Sequence, residues 1–150
     1  MDSIALTDHG VMSGVIKFYR QAIRRNIKPI IGCEIYVAPG DRTDRSGKAG
    51  QRFFHLVLLA ENEVGYHNLL EIVSCAHTEG FYYRPRADKA LLREHAKGLI
   101  ALSACESGEI PRLLKAGQRD DAIEVAREYE AMFGKDNFYI EIQDHSRTRC

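Results

Sequence analysis

The sequence predicts an α/β fold, because short apolar strands alternate along it with amphipathic helices. An apolar run at residues 3–7 leads directly into a helical pattern. Residues 30–38 are apolar almost throughout, which is typical of a strand buried on both faces. This alternation favours a mostly parallel sheet or barrel. Roughly five strands are expected, too few for a barrel of seven or eight units. We therefore expect residues 1–150 to be one partial domain that lacks its first and last units.

Apolar periodicity and end signals place the individual elements. Strands are expected at about residues 3–7, 30–38, 53–60, 98–103 and 138–142. Helices are expected at about 12–26, 63–77 and 87–95, from about 107, and from an N-cap at Asp120 to Gly134. The first helix should bury one face, formed by Val15, Phe18, Tyr19 and Ala22. Residues 40–52 and 78–86 are predicted loops, of which the first is long enough to be a mobile or functional insert.

Composition excludes several classes of protein. Hydrophobic residues make up 45% and charged residues 28% of the chain, and the 21 basic residues balance the 21 acidic ones. Any nucleic-acid binding must therefore come from a local patch rather than from net charge. No apolar run approaches the ~20 residues of a membrane span, and no signal peptide pattern opens the chain. The four cysteines lie far apart without a CxxC motif, so we expect free thiols and a cytoplasmic protein.

Four residues of metal-ligand type lie in or beside the apolar strands, namely His9, Glu34, His55 and Cys105. Imidazole, carboxylate and thiolate groups together suit Zn, Mn or Fe. Taken singly, the histidines and the cysteine are more often structural residues. Glu34 is stronger evidence for a metal site than the other three residues, because a carboxylate inside a buried strand is costly unless it is paired or bound to a metal. Asp8 is either a further ligand, a residue that orients His9 through a hydrogen bond, or the cap of the following helix.

The remaining histidines carry less information. His67, His77 and His95 fall on predicted helices, mostly on polar faces, and are interpreted as surface residues. Asp144 and His145 form a second Asp-His pair at a strand end, which a turn would also explain, and this pair ranks below the four candidate ligands.

A second candidate surface combines aromatic residues with arginines. Tyr82, Tyr83, Arg84 and Arg86 follow one another closely, and the loop at 40–52 adds basic residues. Aromatic rings stack on bases and arginines bind phosphates, so these four residues are candidate nucleic-acid contacts. The alternative is a loop whose aromatic rings pack on the domain while its arginines stay solvated.

Several of these stretches resemble the PHP (polymerase and histidinol phosphatase) domain family, in the branch found in bacterial DNA polymerase III alpha subunits. The resemblance covers essentially the whole chain, and the GFYYRPR run points to the polymerase branch rather than to free-standing phosphatases. The stretches are residues 7–15 (TDHGVMSGV), 27–39 (IKPIIGCEIYVAP), 55–60 (HLVLLA), 80–86 (GFYYRPR), 102–105 (LSAC) with 107–109 (SGE), and 139–145 (YIEIQDH).

The resemblance implies a distorted (β/α)7 barrel with up to three metal ions at the strand ends. By motif, His9 and His55 match family histidines, Glu34 matches a carboxylate that usually bridges metals, and Cys105 lies where the polymerase branch often carries cysteine. The family's opening His-x-His would precede residue 1, and its closing Asp-x-His would follow residue 150. For His55 to reach the cluster, the third strand must run antiparallel to the second, or His55 must lie on an irregular entry segment.

The same resemblance implies a function. The chain would be a fragment of a replicative DNA-directed DNA polymerase, a nucleotidyltransferase that uses Mg²⁺ and binds primer–template DNA, deoxynucleotides, a proofreading exonuclease and a sliding clamp. The fragment holds no catalytic residue for polymerisation and should be inactive alone. Its own role would be metal-dependent phosphoesterase or 3′–5′ exonuclease chemistry, or a scaffold. The alternatives are a free-standing phosphatase resembling histidinol phosphatase, and a non-catalytic docking module for the exonuclease.

Overall fold

The computed structural model describes residues 1–46 and 52–143 and confirms the α/β class. Its strands are β1 (Ser3–Leu6), β2 (Lys28–Val37), β3 (Phe54–Ala60), β4 (Phe81–Tyr82), β5 (Arg84–Ala87), β6 (Leu99–Leu102) and β7 (Phe138–Tyr139). Its helices are α1 (Val15–Arg24), α2 (Glu63–Thr78), α3 (Lys89–Glu94), α4 (Glu109–Lys115) and α5 (Arg119–Phe133). None of these helices combines the length and apolar character needed to cross a membrane.

The strands form one sheet in the order β4-β5-β2-β3-β6-β7, with β1 paired to β2. β1 runs parallel to the first half of β2, and β5 runs parallel to its end. β3 is antiparallel to both of its neighbours, β2 and β6. The prediction of a mostly parallel sheet is therefore wrong, and the sheet is mixed. No helix lies between β2 and β3 in the described part of their connection, and strands joined without a crossover helix pair antiparallel.

The predicted count of about five strands is also too low, because the segment at 78–86 is not only a loop. It contains the β4–β5 hairpin, in which Tyr83 adopts a left-handed backbone conformation with φ 61°. β5 then pairs with β2, so the hairpin extends the sheet. Strands of two and four residues are too short to produce a periodic sequence signal.

The core lies on one face of β2 and β3, where alternate side chains point the same way. Cys33, Ile35 and Val37 of β2 face the core together with Leu56 and Leu58 of β3. Burying each large apolar side chain stabilises the fold by about 1.5–3 kcal/mol. The intervening residues of the same two strands therefore face the other way, and that opposite face carries the candidate site.

Two helix predictions need correction. Asp120 does not cap α5, because the helix begins at Arg119 and Asp120 lies in its first turn, while Gly134 does end it. Tyr19 of α1 is exposed although it shares the predicted apolar face with Val15 and Ala22, which are buried. The helix therefore packs through a narrower stripe than the sequence pattern indicates.

Candidate metal centre

The residues that follow β1 carry His9 to the side of β2. The backbone N–H of Glu34 donates to Asp8 O at 3.0 Å, and the N–H of Gly10 donates to Glu34 O at 2.9 Å. His9 and Glu34 thereby form an isolated parallel bridge beyond the end of β1. These backbone hydrogen bonds place the imidazole of His9 next to the side chain of Glu34.

The antiparallel direction of β3 brings His55 to the same place. His55 is opposite Tyr36 in the register, and Glu34 is opposite Val57, two residues further along β3. Glu34 and His55 are therefore diagonal neighbours on one face of the sheet. This is the first of the two arrangements that the sequence left open for His55.

His9, Glu34 and His55 form a compact group whose ligand atoms all lie within 4.8 Å of one another. Glu34 Oε1 is 2.5 Å from His55 Nδ1 and 3.4 Å from His9 Nε2. The two imidazole rings meet edge to face with their centroids 5.9 Å apart. His9 is the outermost member, with 60% of its side chain exposed against 15% for Glu34.

The buried oxygen of Glu34 is not satisfied by this arrangement. Glu34 Oε1 is fully buried, and none of the described residues gives it a hydrogen bond. His55 Nδ1 is close enough, but its orientation is not that of a hydrogen bond. An unsatisfied buried acceptor costs about 1–3 kcal/mol, and more if it is charged. A cation between the three side chains would remove this cost, so the donor set fits a divalent metal.

Cys105 lies against His55 rather than inside the three-residue group. Its Sγ is 3.6 Å from His55 Nδ1 and accepts a hydrogen bond from the backbone N–H of Ser107 at 3.4 Å. The backbone N–H of His55 in turn donates to Ser107 O at 3.2 Å. The turn after β6 is thus bonded to the start of β3, which holds the thiol beside the imidazole.

Asp8 supports the centre through its backbone carbonyl, which accepts from Glu34 N. Its carboxylate does not cap α1, because the cap residue is Gly14 and the cap has no side-chain hydrogen bond. Asp8 is not a member of the His9–Glu34–His55 group.

Two residues around the centre, Phe53 and Tyr36, were missed by sequence reasoning, and a third, Arg84, was predicted only as a nucleic-acid contact. Phe53 stacks on His55 with a centroid distance of 6.0 Å, and Tyr36 meets the same imidazole edge to face at 5.3 Å. Arg84 lies over the Tyr36 ring, with its guanidinium carbon 5.7 Å from the centroid. The signal for Tyr36 and Phe53 was available, since each lies two residues from a predicted ligand and therefore on the same face of its strand.

The candidate nucleic-acid residues fall into two groups. Tyr83 and Arg84 are exposed, with Tyr83 65% accessible and its ring packed edge to face on Tyr82. Arg86 is 1% exposed and donates hydrogen bonds to the carbonyls of Gly80, Arg42 and Asp44. The prediction that Arg86 contacts nucleic acid is therefore wrong, because its guanidinium is buried and bonded to backbone carbonyls.

The loop at 40–52 and the other residues singled out in the sequence lie partly within and partly outside the described residues. Arg42 forms ion pairs with Glu79 and Asp88, which attaches the start of the loop to the domain. His67 and His77 are exposed, as predicted, while His95 is partly buried near Asn68. His77 also contacts the segment that carries His9. Lys48, Asp144, His145 and Cys150 lie outside the described residues, and the three described cysteines are free thiols.

Residues 1–145 match the family model of the PHP domain. The chain is 52% identical over 145 residues to the DNA polymerase III subunit alpha of Treponema pallidum, covering 96% of this chain and 12% of that protein. It is 48% identical over 146 residues to the protein of the same name in Borreliella burgdorferi, covering 97% and 13%. It is 49% identical over 147 residues to the protein of the same name in Deinococcus radiodurans, covering 95% of this chain and 11% of that protein.

The chain thus spans about an eighth of the length of the curated relatives that it matches. These relatives share one name, DNA polymerase III subunit alpha, across several bacteria. The family model covers nearly the whole chain rather than a single motif. This chain therefore belongs to the PHP domain family.

Proposed function

We propose that His9, Glu34 and His55, with Cys105 beside them, hold divalent metal in this chain. The observation that supports the proposal most is the buried Glu34 Oε1, which has two imidazole nitrogens near it and no hydrogen bond from the described residues. Nitrogen, oxygen and sulfur donors together suit Zn, Mn or Fe. When bound, such an ion supplies Lewis-acid stabilisation of phosphate oxygens and activation of water for phosphoester hydrolysis.

The residues around the ion have separate roles in this proposal. Glu34 provides the negative charge that attracts the cation, and His9 and His55 complete a site open on one side, because His9 is largely exposed. Phe53 and Tyr36 pack on His55 and fix its ring. Asp8 acts through its backbone carbonyl, which joins Glu34 to the stretch of chain that carries His9.

At the level of the whole protein, we propose that the chain is part of a DNA polymerase III alpha subunit. The support is the shared name of relatives that are about half identical to it and about eight times as long. In that protein the 150 residues would be one partial domain within a (β/α)7 barrel with up to three metal ions. Polymerisation with Mg²⁺, primer–template DNA and deoxynucleotides would take place elsewhere in the subunit, in the cytoplasm, with a proofreading exonuclease and sliding clamp as partners.

Tyr82, Tyr83 and Arg84 are proposed to contact single-stranded DNA. Arg84 and Tyr83 are exposed, and Arg84 lies over the Tyr36 ring, which itself packs against His55. A phosphate bound by Arg84 would therefore lie close to the metal centre. This placement favours metal-dependent 3′–5′ exonuclease chemistry over a purely docking role.

The metal site is tested by titrating the chain with Co²⁺, whose visible absorption reports binding and geometry. Wild type should bind, and Glu34→Gln should weaken binding by about a hundredfold, since losing even a supporting residue costs 10–100-fold. The control is Glu61→Gln, which removes an exposed carboxylate after β3. Equal binding by wild type and Glu34→Gln would contradict the proposal.

The DNA contact is tested by fluorescence anisotropy of a labelled single strand in increasing salt. Replacing Tyr83 and Arg84 together by alanine should weaken binding several-fold and reduce the salt slope by about 0.7 per lost phosphate contact. Arg127→Ala on α5 removes the same charge from another exposed position and should not do so. An unchanged affinity in the double variant would remove the hairpin from the proposed interface.

The exonuclease role is tested in the full-length protein with a labelled primer and Mn²⁺ or Zn²⁺. We expect metal-dependent loss of 3′ nucleotides that disappears in His9→Asn. Metal binding without any degradation would favour the docking role instead.

A further inference from the structure

The metal proposal depends on a short backbone segment, residues 8–11, here called the His9 segment. His9 has 60% of its side chain exposed, so packing of its own ring does little to fix it. Its position follows from the backbone, through the hydrogen bonds between Asp8, Gly10 and Glu34. Whatever holds this backbone also aims the imidazole of His9.

Gly10 gives the segment its shape. Its φ is +68°, and a Cβ at this position would lie 3.0 Å from both Pro85 Cγ and Tyr36 Cε2. Only glycine adopts this conformation at such close quarters without strain. The Gly10 N–H donates to Glu34 O, and the Gly10 carbonyl oxygen, as a second backbone polar group, needs a partner of its own.

His77 provides that partner. It lies in the last turn of α2, and its Nε2 is 2.8 Å from Gly10 O. A carbonyl oxygen can only accept, so Nε2 carries the proton and donates. The His77 ring also stacks on Phe81, the first residue of β4, with centroids 6.3 Å apart. His77 therefore joins α2 and the β4–β5 hairpin to the His9 segment.

Cys33 supports the same segment from β2. Its Sγ lies 3.3 Å from Asp8 O and 3.6 Å from Val11 O. The side chain is fully buried, and burial raises the pKa of the thiol to about 12. The thiol therefore stays protonated and acts as a donor. With His77, it gives the carbonyls of residues 8, 10 and 11 side-chain partners on two sides.

We infer that His77 is a positioning residue of the proposed metal site, which acts by donating its Nε2–H to Gly10 O and so holds His9 towards Glu34. The metal-binding part of this inference rests on the proposed function. The part that concerns the His9 segment does not, because the hydrogen bond to Gly10 exists without any ion.

The structural part is tested on the metal-free chain by amide hydrogen exchange at Gly10. His77→Leu removes the donor, and we expect exchange of the Gly10 amide to rise about tenfold as the segment loosens. His77→Gln retains an N–H at a similar position and should restore slow exchange. His67→Leu removes an exposed imidazole from the same helix and serves as the control. An unchanged Gly10 exchange rate in His77→Leu would overturn the inference.

The metal part is tested with the same four proteins by Co²⁺ titration. His77→Leu should weaken Co²⁺ binding about tenfold, the lower end of the effect of residues that orient ligands. His77→Gln and His67→Leu should keep the affinity and the visible spectrum of wild type. Wild-type affinity and spectrum in His77→Leu would overturn the positioning role. A wild type that binds no Co²⁺ would overturn the metal site itself, and Gly10 exchange alone would then decide whether His77 holds the segment.

Discussion

Arg86 of β5 and Glu34 of β2 lie on neighbouring strands, and each places a charged group in the interior: Arg86 is buried, and Glu34 is partly buried with one carboxylate oxygen inaccessible to solvent. Arg86 is 1% exposed, and its guanidinium donates to three backbone carbonyls at 2.8–3.1 Å. Glu34 presents a fully buried oxygen for which the described residues provide no hydrogen bond. Arg86 therefore stabilises the fold, whereas Glu34 is suited to binding a cation. Burial of a charge does not by itself mark a site; what distinguishes Glu34 is a buried oxygen without a hydrogen bond that also lies beside two imidazoles.

The largest expected effect concerns Arg86. Arg86→Leu leaves three carbonyls without their donor, and the free energy of unfolding should fall by about 3–5 kcal/mol, since hydrogen bonds to charged groups contribute about 1.5–3 kcal/mol each and are not fully additive. Urea denaturation measures it. Arg84→Leu, two residues away and exposed, should change stability by less than about 0.5 kcal/mol. Similar losses in both variants would remove the distinction between the two arginines.

The second prediction is a gain in stability, whereas the Arg86 variant should lose stability. Glu34→Gln should raise the free energy of unfolding of the metal-free chain by about 1–2 kcal/mol at pH 8, because it removes an unsatisfied buried charge. Glu109→Gln is the matched control, since Glu109 has the same side-chain exposure of 15% but is bonded to Lys89 and Tyr129. That variant should lose about 1–3 kcal/mol. A comparable loss in Glu34→Gln would make Glu34 a structural residue like Arg86.

The third effect concerns Cys33 beneath the His9 segment. Burial, reinforced by the charges of Asp8 and Glu34, raises the thiol pKa from 9.0 to about 12. The folded chain keeps this proton where the unfolded chain loses it, so the contribution is complete below about pH 9 and lost as pH rises towards 12. Unfolding free energy should fall by up to about 1.4 kcal/mol per pH unit across this range.

Cys33→Ala isolates this contribution. Burial also raises the pKa of Tyr129, helped by the carboxylate of Glu109, so alkaline pH should destabilise both proteins. Only the difference between the two pH profiles of unfolding free energy reports the contribution of the Cys33 thiol. Parallel profiles between pH 9 and 12 would show that the thiol is not held as a buried donor.

The smallest effect concerns Cys105. Its Sγ lies 3.6 Å from His55 Nδ1, and Cys105 is not a member of the His9–Glu34–His55 group. Cys105→Ser should therefore weaken Co²⁺ binding about tenfold and abolish thiolate-to-cobalt charge-transfer absorption. Cys75→Ser on α2 is the control and should do neither. If charge-transfer absorption is absent already in wild type, the metal is held by nitrogen and oxygen donors alone.

Long, uniform elements were predictable from the sequence. β1, β2, β3, β6 and α2 lie within two residues of their predicted bounds, because each has a continuous apolar run or a helical stripe. The β4–β5 hairpin was missed because its strands are too short for periodicity. The direction of β3 was left open between two arrangements, because pairing depends on the connection and the register, and apolar content reports neither.

The candidate site likewise has features that the sequence predicts and features that depend on contacts between distant residues. The residue types at His9, Glu34, His55 and Cys105 are visible in the sequence, and the structure brings all four to one region; their role as ligands stays a prediction. The role inferred for His77 could not be predicted, because its partner is a backbone carbonyl 67 residues away in sequence. Burial of Arg86 was equally hidden, since arginine is seldom buried and its acceptors are also carbonyls.

The central claim, that these side chains hold a metal ion, is tested most directly by X-ray absorption at the zinc edge of the Zn²⁺-loaded chain. We predict nitrogen and oxygen donors at about 2.0–2.1 Å with the multiple scattering of two imidazoles, and one sulfur at about 2.3 Å from Cys105. In Glu34→Gln the loaded signal should be lost at the same metal concentration. A spectrum of oxygen donors alone, without imidazole scattering, would contradict the account.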